Sequence, residues 1–131
     1  MKWVVFHGSY DFAYLLKLVS NIPLPESVDE FYKEMKKYFP NIYDLKYIIK
    51  DVPSLKDVGL AKLSYDLRCN RIGPQHQAGS DSLLTLCCYF KMLEQSELFN
   101  PIQFSNSLNI IFGIGIGYLK NSMAIYRQQN E

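Results

Sequence analysis

Lys2 to His7 (KWVVFH) is a nearly unbroken apolar run that ends at Gly8, a pattern that predicts a short buried strand. Beyond it the spacing changes. Phe12, Leu15, Leu16 and Val19 recur at i, i+3, i+4 and i+7, which predicts a helix opened by Ser9 or Asp11. Asp11 therefore falls just past a strand, in the first turn of a helix, where open α/β sheets usually place their chemistry. After the turn around Pro23 and Pro25, Ser27 and Glu30 stand at capping-box spacing for a helix through Phe31, Met35 and Tyr38 that Pro40 stops. Ile42 to Ile49 (IYDLKYII) fits either a short strand or a strand running into a helical turn. Ser54 to Leu67 reads as a capped helix with Leu55, Val58 and Tyr65 facing inward, weakened by Gly59.

The chain is organised around Arg71 to Lys91 (RIGPQHQAGSDSLLTLCCYFK). Its first part is a polar loop with Gly73 and Pro74. A helix follows, with Ser80 as the expected N-cap, Leu83, Cys87, Phe90 and Glu94 along one face, and Leu84, Cys88 and Met92 beside it. So wide an apolar arc predicts a helix buried deep in the domain. His76 stands five residues before Asp81. By spacing alone Asp81 is an acid favoured by the helix dipole and His76 an ordinary loop histidine. The same placement would also hold two polar groups rigidly at the edge of a core. Farther on, Leu108 to Leu119 (LNIIFGIGIGYL) predicts a core-completing strand or an irregular segment. Its glycines are not those of a dinucleotide site. The tail Arg127 to Glu131 is expected to fray.

Composition narrows the class. A chain of 131 residues, 48% apolar and 15% aromatic, predicts one folded domain rather than a disordered segment. A net charge of +1 leaves no broad electrostatic footprint for nucleic acid, so any RNA recognition has to be local or metal-assisted. Cys69, Cys87 and Cys88 form no ligand pattern and read as reduced core cysteines. No apolar run approaches the roughly 18 to 20 residues that span a bilayer, and no membrane partner is expected. His7 reads as a core-edge histidine and Asp44 as structural, paired with a lysine. Tyr10, Phe12 and Tyr14 read as core aromatics, with base stacking as the alternative.

Three segments together carry a family likeness, in chain order WVVFHGSYDFAYLLK (Trp3 to Lys17), YFPNIYDLKY (Tyr38 to Tyr47) and RIGPQHQAGSDSLLT (71–85). They resemble the Pop/Caf-type poly(A) deadenylase, the catalytic subunit of the Ccr–Not complex and a DEDD-type 3′→5′ exoribonuclease. The resemblance covers roughly residues 2 to 95 and fades in a divergent stretch, 101–131. It implies an α/β, ribonuclease H-like exonuclease fold and magnesium or manganese as cofactor in a two-metal site. Such a site needs about four acidic ligands for two hard ions. By the family's pattern Asp11 corresponds to the third acid and Asp81 to the fourth, both metal ligands. His76 corresponds to the general base that takes the proton from the attacking water. The first two acids form a D-x-E on the family's first strand, and no D-x-E occurs in this chain.

The fold is therefore expected to lack its first strands, and the chain to be one partial exonuclease domain. The implied function is removal of poly(A) tails from mRNA, in nucleus and cytoplasm. Implied partners are RNA, the Ccr–Not scaffold and a second deadenylase subunit, with no role for DNA. The alternative is a catalytically inactive, truncated relative acting as an interaction module of that complex.

Overall fold

A computed structural model describes residues 1–115. Strands β1 (Trp3–Val5) and β2 (Ile42–Asp44) pair in parallel, with Trp3 opposite Ile42 and Val5 opposite Asp44. A parallel pair requires a long crossover. Helices α1 (Ser9–Ser20) and α2 (Val28–Tyr38) supply it. Alternation along β1 sends Trp3 and Val5 to one side, against Phe12, Leu16, Phe31, Met35 and Phe39. Val4 and Phe6 go to the other, against a cluster that includes Leu45, Leu63, Cys88 and Met92. That second cluster is built from α3 (Leu45–Ile48), α4 (Leu60–Asp66), α5 (Ala78–Glu94) and α6 (Pro101–Asn106). The small sheet is thus sandwiched between two helical layers, the α/β arrangement the sequence predicts.

Local signals explain several boundaries. The Ser27 hydroxyl accepts from the Glu30 amide at 3.2 Å and starts α2 at the capping position expected. Ile42 to Ile49 resolves as the second alternative: a strand, then α3 and one 3-10 turn over Ile49–Asp51. Gly8 joins β1 to α1 so tightly that a β-carbon there would lie 2.7 Å from Val5 Cγ2. Tyr32 ties in the last described segment, its hydroxyl accepting from the Ile111 amide at 3.1 Å and donating to the Gly115 carbonyl at 2.8 Å.

Other expectations are corrected. Ser80 does not cap α5. The helix begins at Ala78 after Gln77, and Ser80 is buried within its first turn because its hydroxyl accepts from Arg71 Nη1 at 3.0 Å. Nor is α5 buried deep all round. Ser80, Leu84, Thr85, Cys88, Tyr89 and Met92 face inward, while Leu83 is 42% and Phe90 54% exposed. The physical cause is the small sheet: α5 packs on β1 and α4, which cover one face of it. Gly59 does not weaken a long helix but stands at its start. It is extended, with α4 beginning after it, while Leu55 is buried by separate turns from Val52 to Val58. Leu63 and Leu67 then face inward and Tyr65 is 77% exposed.

On α1 only Phe12 and Leu16 are buried, and Leu15 and Val19 lie on the surface. Phe12 is core, edge-on to Trp3 at 6.4 Å, which removes it from any base-stacking surface, whereas Tyr10 and Tyr14 are exposed. His7 is exposed rather than a core-edge residue, its ring edge-on to Phe112 at 5.1 Å. From Leu108 to Gly115 no strand forms. Ile110 and Ile111 plug the core, while Gly113 and Gly115 hold left-handed φ values of 87° and 92° that break an extended run. Residues 116–119 of that apolar stretch, and the tail 127–131, lie outside the described residues.

Asp44 pairs with no lysine among the described residues. Its fully buried carboxylate instead accepts four backbone amides: His7 (2.8 Å) and Lys46 (3.0 Å) on Oδ1, Gly8 (3.1 Å) and Phe112 (3.1 Å) on Oδ2. One side chain thereby joins the end of β1, the start of α1, the first turn of α3 and the segment at 112. Burial pushes the Asp44 carboxyl above its ordinary range, and the four amides pull in the opposite direction.

Candidate active site

The β1–α1 junction and the start of α5 face a common groove. β1 ends at Val5 and Gly8 stands at the N-cap of α1, so Asp11 projects from the first helical turn with its side chain exposed. On the other side the loop 71–77 turns back through Gly73, whose φ is 86°, and delivers Asp81 to the first turn of α5. The groove between them encloses about 700 Å³. Its apolar wall is β1 with Phe12 and Leu15, and its polar wall includes Arg71, Gln75, His76, Asp81 and Ser82. Asp11, distant in sequence from the other two, lines it together with His76 and Asp81.

The two carboxylates are not equivalent. Asp81 Oδ1 is held by Arg71 Nη1 at 2.5 Å, in a pair whose side chains are 35% and 19% exposed. The side chains of Asp11 and His76 make no hydrogen bond or ion pair among the described residues. His76 has a left-handed backbone, φ 61°, at an exposed position on the loop. Asp81 also benefits from its place at the positive end of α5.

Arg71 is a charged groove residue to which sequence reasoning assigned no role. Its signal was present: a cation ten residues before Asp81, across a Gly-Pro turn that brings the two ends together. The carboxylate oxygens suit a hard divalent ion in kind. In number they do not complete a site, because no group of three or more His, Cys, Asp or Glu side chains converges among the described residues.

The parallel, helix-covered sheet, with two acids and a histidine lining one groove at its strand–helix junction, has the fold of solved ribonuclease H-like domains, among them the RNase domain of the yeast Pop2 protein (TM-score 0.73, 26% identity). The solved structure of S. pombe Pop2p in its Mg2+- and Mn2+-bound form superposes with a TM-score of 0.73 at 46% identity, covering 86% of this chain and 44% of that one. Yeast CAF1, co-crystallised with the NOT1 MIF4G domain, gives 0.74 at 25% identity, covering 86% and 46%. The model described as CAF1 family ribonuclease matches residues 1–90, and the chain belongs to that family. It is 49% identical over 115 residues to the poly(A) ribonuclease pop2 of Schizosaccharomyces pombe, covering 88% of this chain and 33% of the relative. It is 42% identical over 116 residues to the probable CCR4-associated factor 1 homolog 7 of Arabidopsis thaliana, covering 88% and 41%. The chain thus spans less than half the length of these relatives, and the match lies in their C-terminal half.

Proposed function

We propose that this chain supplies the C-terminal part of a poly(A)-specific 3′→5′ exoribonuclease site that acts on mRNA tails. The observation that carries this is the gathering of Asp11, His76 and Asp81 on one groove at the β1–α1 junction. The relative named a poly(A) ribonuclease and the magnesium- and manganese-bound neighbour support the substrate and the cofactor. Asp11 and Asp81 are the ligands this chain contributes, and they need partner acids of the D-x-E type. Bound ions of this kind activate a water and stabilise the leaving oxygen. An imidazole nitrogen of His76 accepts the proton that the attacking water gives up. The neighbour solved with a NOT1 domain supports a Ccr–Not scaffold as partner. A second deadenylase subunit and a location in nucleus and cytoplasm belong to the same proposal.

The test is trimming of end-labelled oligo(A) by the 131-residue chain, alone and combined with a polypeptide bearing the D-x-E half. Trimming only in the combination is the expected result. Robust trimming by the chain alone, lost in Asp81→Ala, would mean that other acids complete the site. The second reading, an inactive interaction module, is favoured by the Arg71 contact on Asp81 and by the exposed apolar side chains of α5. It predicts no trimming in either arm.

A further inference from the structure

We propose that Arg71 is a built-in counter-cation of the candidate metal ligand Asp81, one that a divalent ion must displace before it can bind there. This inference rests on the assignment of Asp81 as a ligand. Arg71 Nη1 lies 2.5 Å from Asp81 Oδ1 and 3.0 Å from Ser80 Oγ, so one guanidinium nitrogen is shared between the carboxylate and a buried hydroxyl. With only 19% of its side chain exposed, the guanidinium is a fixed feature of the groove wall rather than a solvated surface charge.

Helix electrostatics do not account for that position. A cation beside the N-terminal turn of a helix is unfavourable, because the unpaired amides there already present positive charge. The Asp81 carboxylate compensates for it. The contact also changes what the groove can bind. Asp11 and Asp81 alone would present two negative charges, and Arg71 cancels one of them. A dication on Asp81 would sit beside the guanidinium, where like charges repel, so the two occupy the carboxylate in competition. The exchange involves no proton and no covalent change. Arg71 is thus a positioning residue: it holds the Asp81 carboxylate in the groove when no ion is present and sets a threshold that weak, incomplete coordination does not overcome.

The experiment is Mn2+ binding to the purified 131-residue chain, followed by the electron paramagnetic resonance signal of free Mn2+ at fixed pH. It compares wild type with Arg71→Gln, Arg71→Lys, Asp81→Asn and the double variant Arg71→Gln/Asp81→Asn. Removing an ion pair of this partly exposed kind should tighten Mn2+ binding in Arg71→Gln by on the order of three- to tenfold. Arg71→Lys, which keeps the charge, should stay near wild type, and the gain should vanish in the double variant. A purely structural role for Arg71 would lower the melting temperature without that Asp81-dependent gain. Unchanged or weaker Mn2+ binding in Arg71→Gln, or tightening that persists without Asp81, overturns the proposal while leaving Asp81 as a ligand. If Arg71→Gln does not fold, Arg71→Met in its place must show the same Asp81-dependent gain. Absence of Mn2+ binding in every variant overturns this proposal for the chain alone, and the same titration with the D-x-E-bearing polypeptide added then tests the metal assignment separately: no binding there overturns that as well.

Discussion

The backbone N–H of His7 donates to Asp44 Oδ1 at 2.8 Å, joining residues 37 apart in sequence at the point where β1 turns into α1. Three further amides share that carboxylate. Asp11 lies four residues beyond His7, so the buried acid fixes the strand–helix junction that aims the candidate ligand. Asp44→Asn would set an NH2 group against two of the four N–H donors. Leaving buried donors unpaired costs about 1–3 kcal/mol, and Asp44→Ala, which strands all four, should cost at least as much. Chemical denaturation measures this directly. A loss below about 0.5 kcal/mol in Asp44→Ala would show that the carboxylate is not holding the junction.

Gly8 offers a separate handle on the same turn. An added β-carbon would meet Val5 Cγ2 at 2.7 Å, so Gly8→Ala should destabilise the chain by about 1–3 kcal/mol through overpacking. Because the turn must shift to relieve the clash, Asp11 should move with it. In the combined enzyme, Gly8→Ala should therefore lower the trimming rate even at temperatures where the variant stays folded. Unchanged trimming would separate junction geometry from the site.

In that same combination, Asp11→Ala and Asp81→Ala should each abolish oligo(A) trimming, since each removes a proposed ligand oxygen. His76→Ala should slow trimming by about a hundredfold or more while changing oligo(A) affinity far less, as expected for loss of a general base. Filter binding and single-turnover kinetics distinguish the two effects. Equal losses in affinity and rate for His76→Ala would assign that residue to RNA binding.

The thiol layer behind α5 predicts an alkaline limit. Burial pushes the Cys88 thiol up to about 12, helped by the neighbouring Cys69, and Tyr32 and Cys69 are also raised by burial. A raised folded-state pKa means that the folded chain keeps a proton the unfolded chain releases. The stabilisation is complete below the unfolded value, near 8.5 for a thiol, and is lost as pH rises toward 12. Stability should fall across that window by up to about 1.4 kcal/mol per pH unit from Cys88. Cys88→Ala should flatten the slope by up to one group's share, read from denaturation at successive pH values. An unchanged slope would mean that the thiol ionises in place.

Leu83, Leu86, Phe90 and Leu93 follow one another along the outer side of α5, 42%, 43%, 54% and 47% exposed. An uncovered apolar stripe of this kind favours association. Sedimentation should show self-association that grows with concentration. Leu86→Lys/Phe90→Lys should reduce it with little change in stability, as surface substitutions usually behave. A wild-type chain that remains monomeric at high concentration would refute this.

By itself the sequence determined the first strand, the two helices that follow it and the long helix after the 71–77 loop, the Ser27 cap, the strand–helix junction at Gly8 and the placement of Asp11 and Asp81 in first helical turns, but not the α6 helix or the break before α4. Those are local matters, settled by side-chain period and turn chemistry within a few residues. It also carried the family likeness, because the three matching segments are short and contiguous. Only the tertiary structure decided which helix face is inside. Leu83 and Leu84 are equally apolar, and α5 buries Leu84 because that is the side on which β1 and α4 lie. The role of Asp44 was likewise hidden. Spacing suggested a lysine partner, but its donors come from residues 7, 8, 46 and 112, and no pattern within a single segment records amides brought together by folding. Arg71 belongs with these. Its distance from Asp81 was plain in the sequence, but the reversal of the loop at Gly73 and the burial of Ser80 together turn that spacing into a contact.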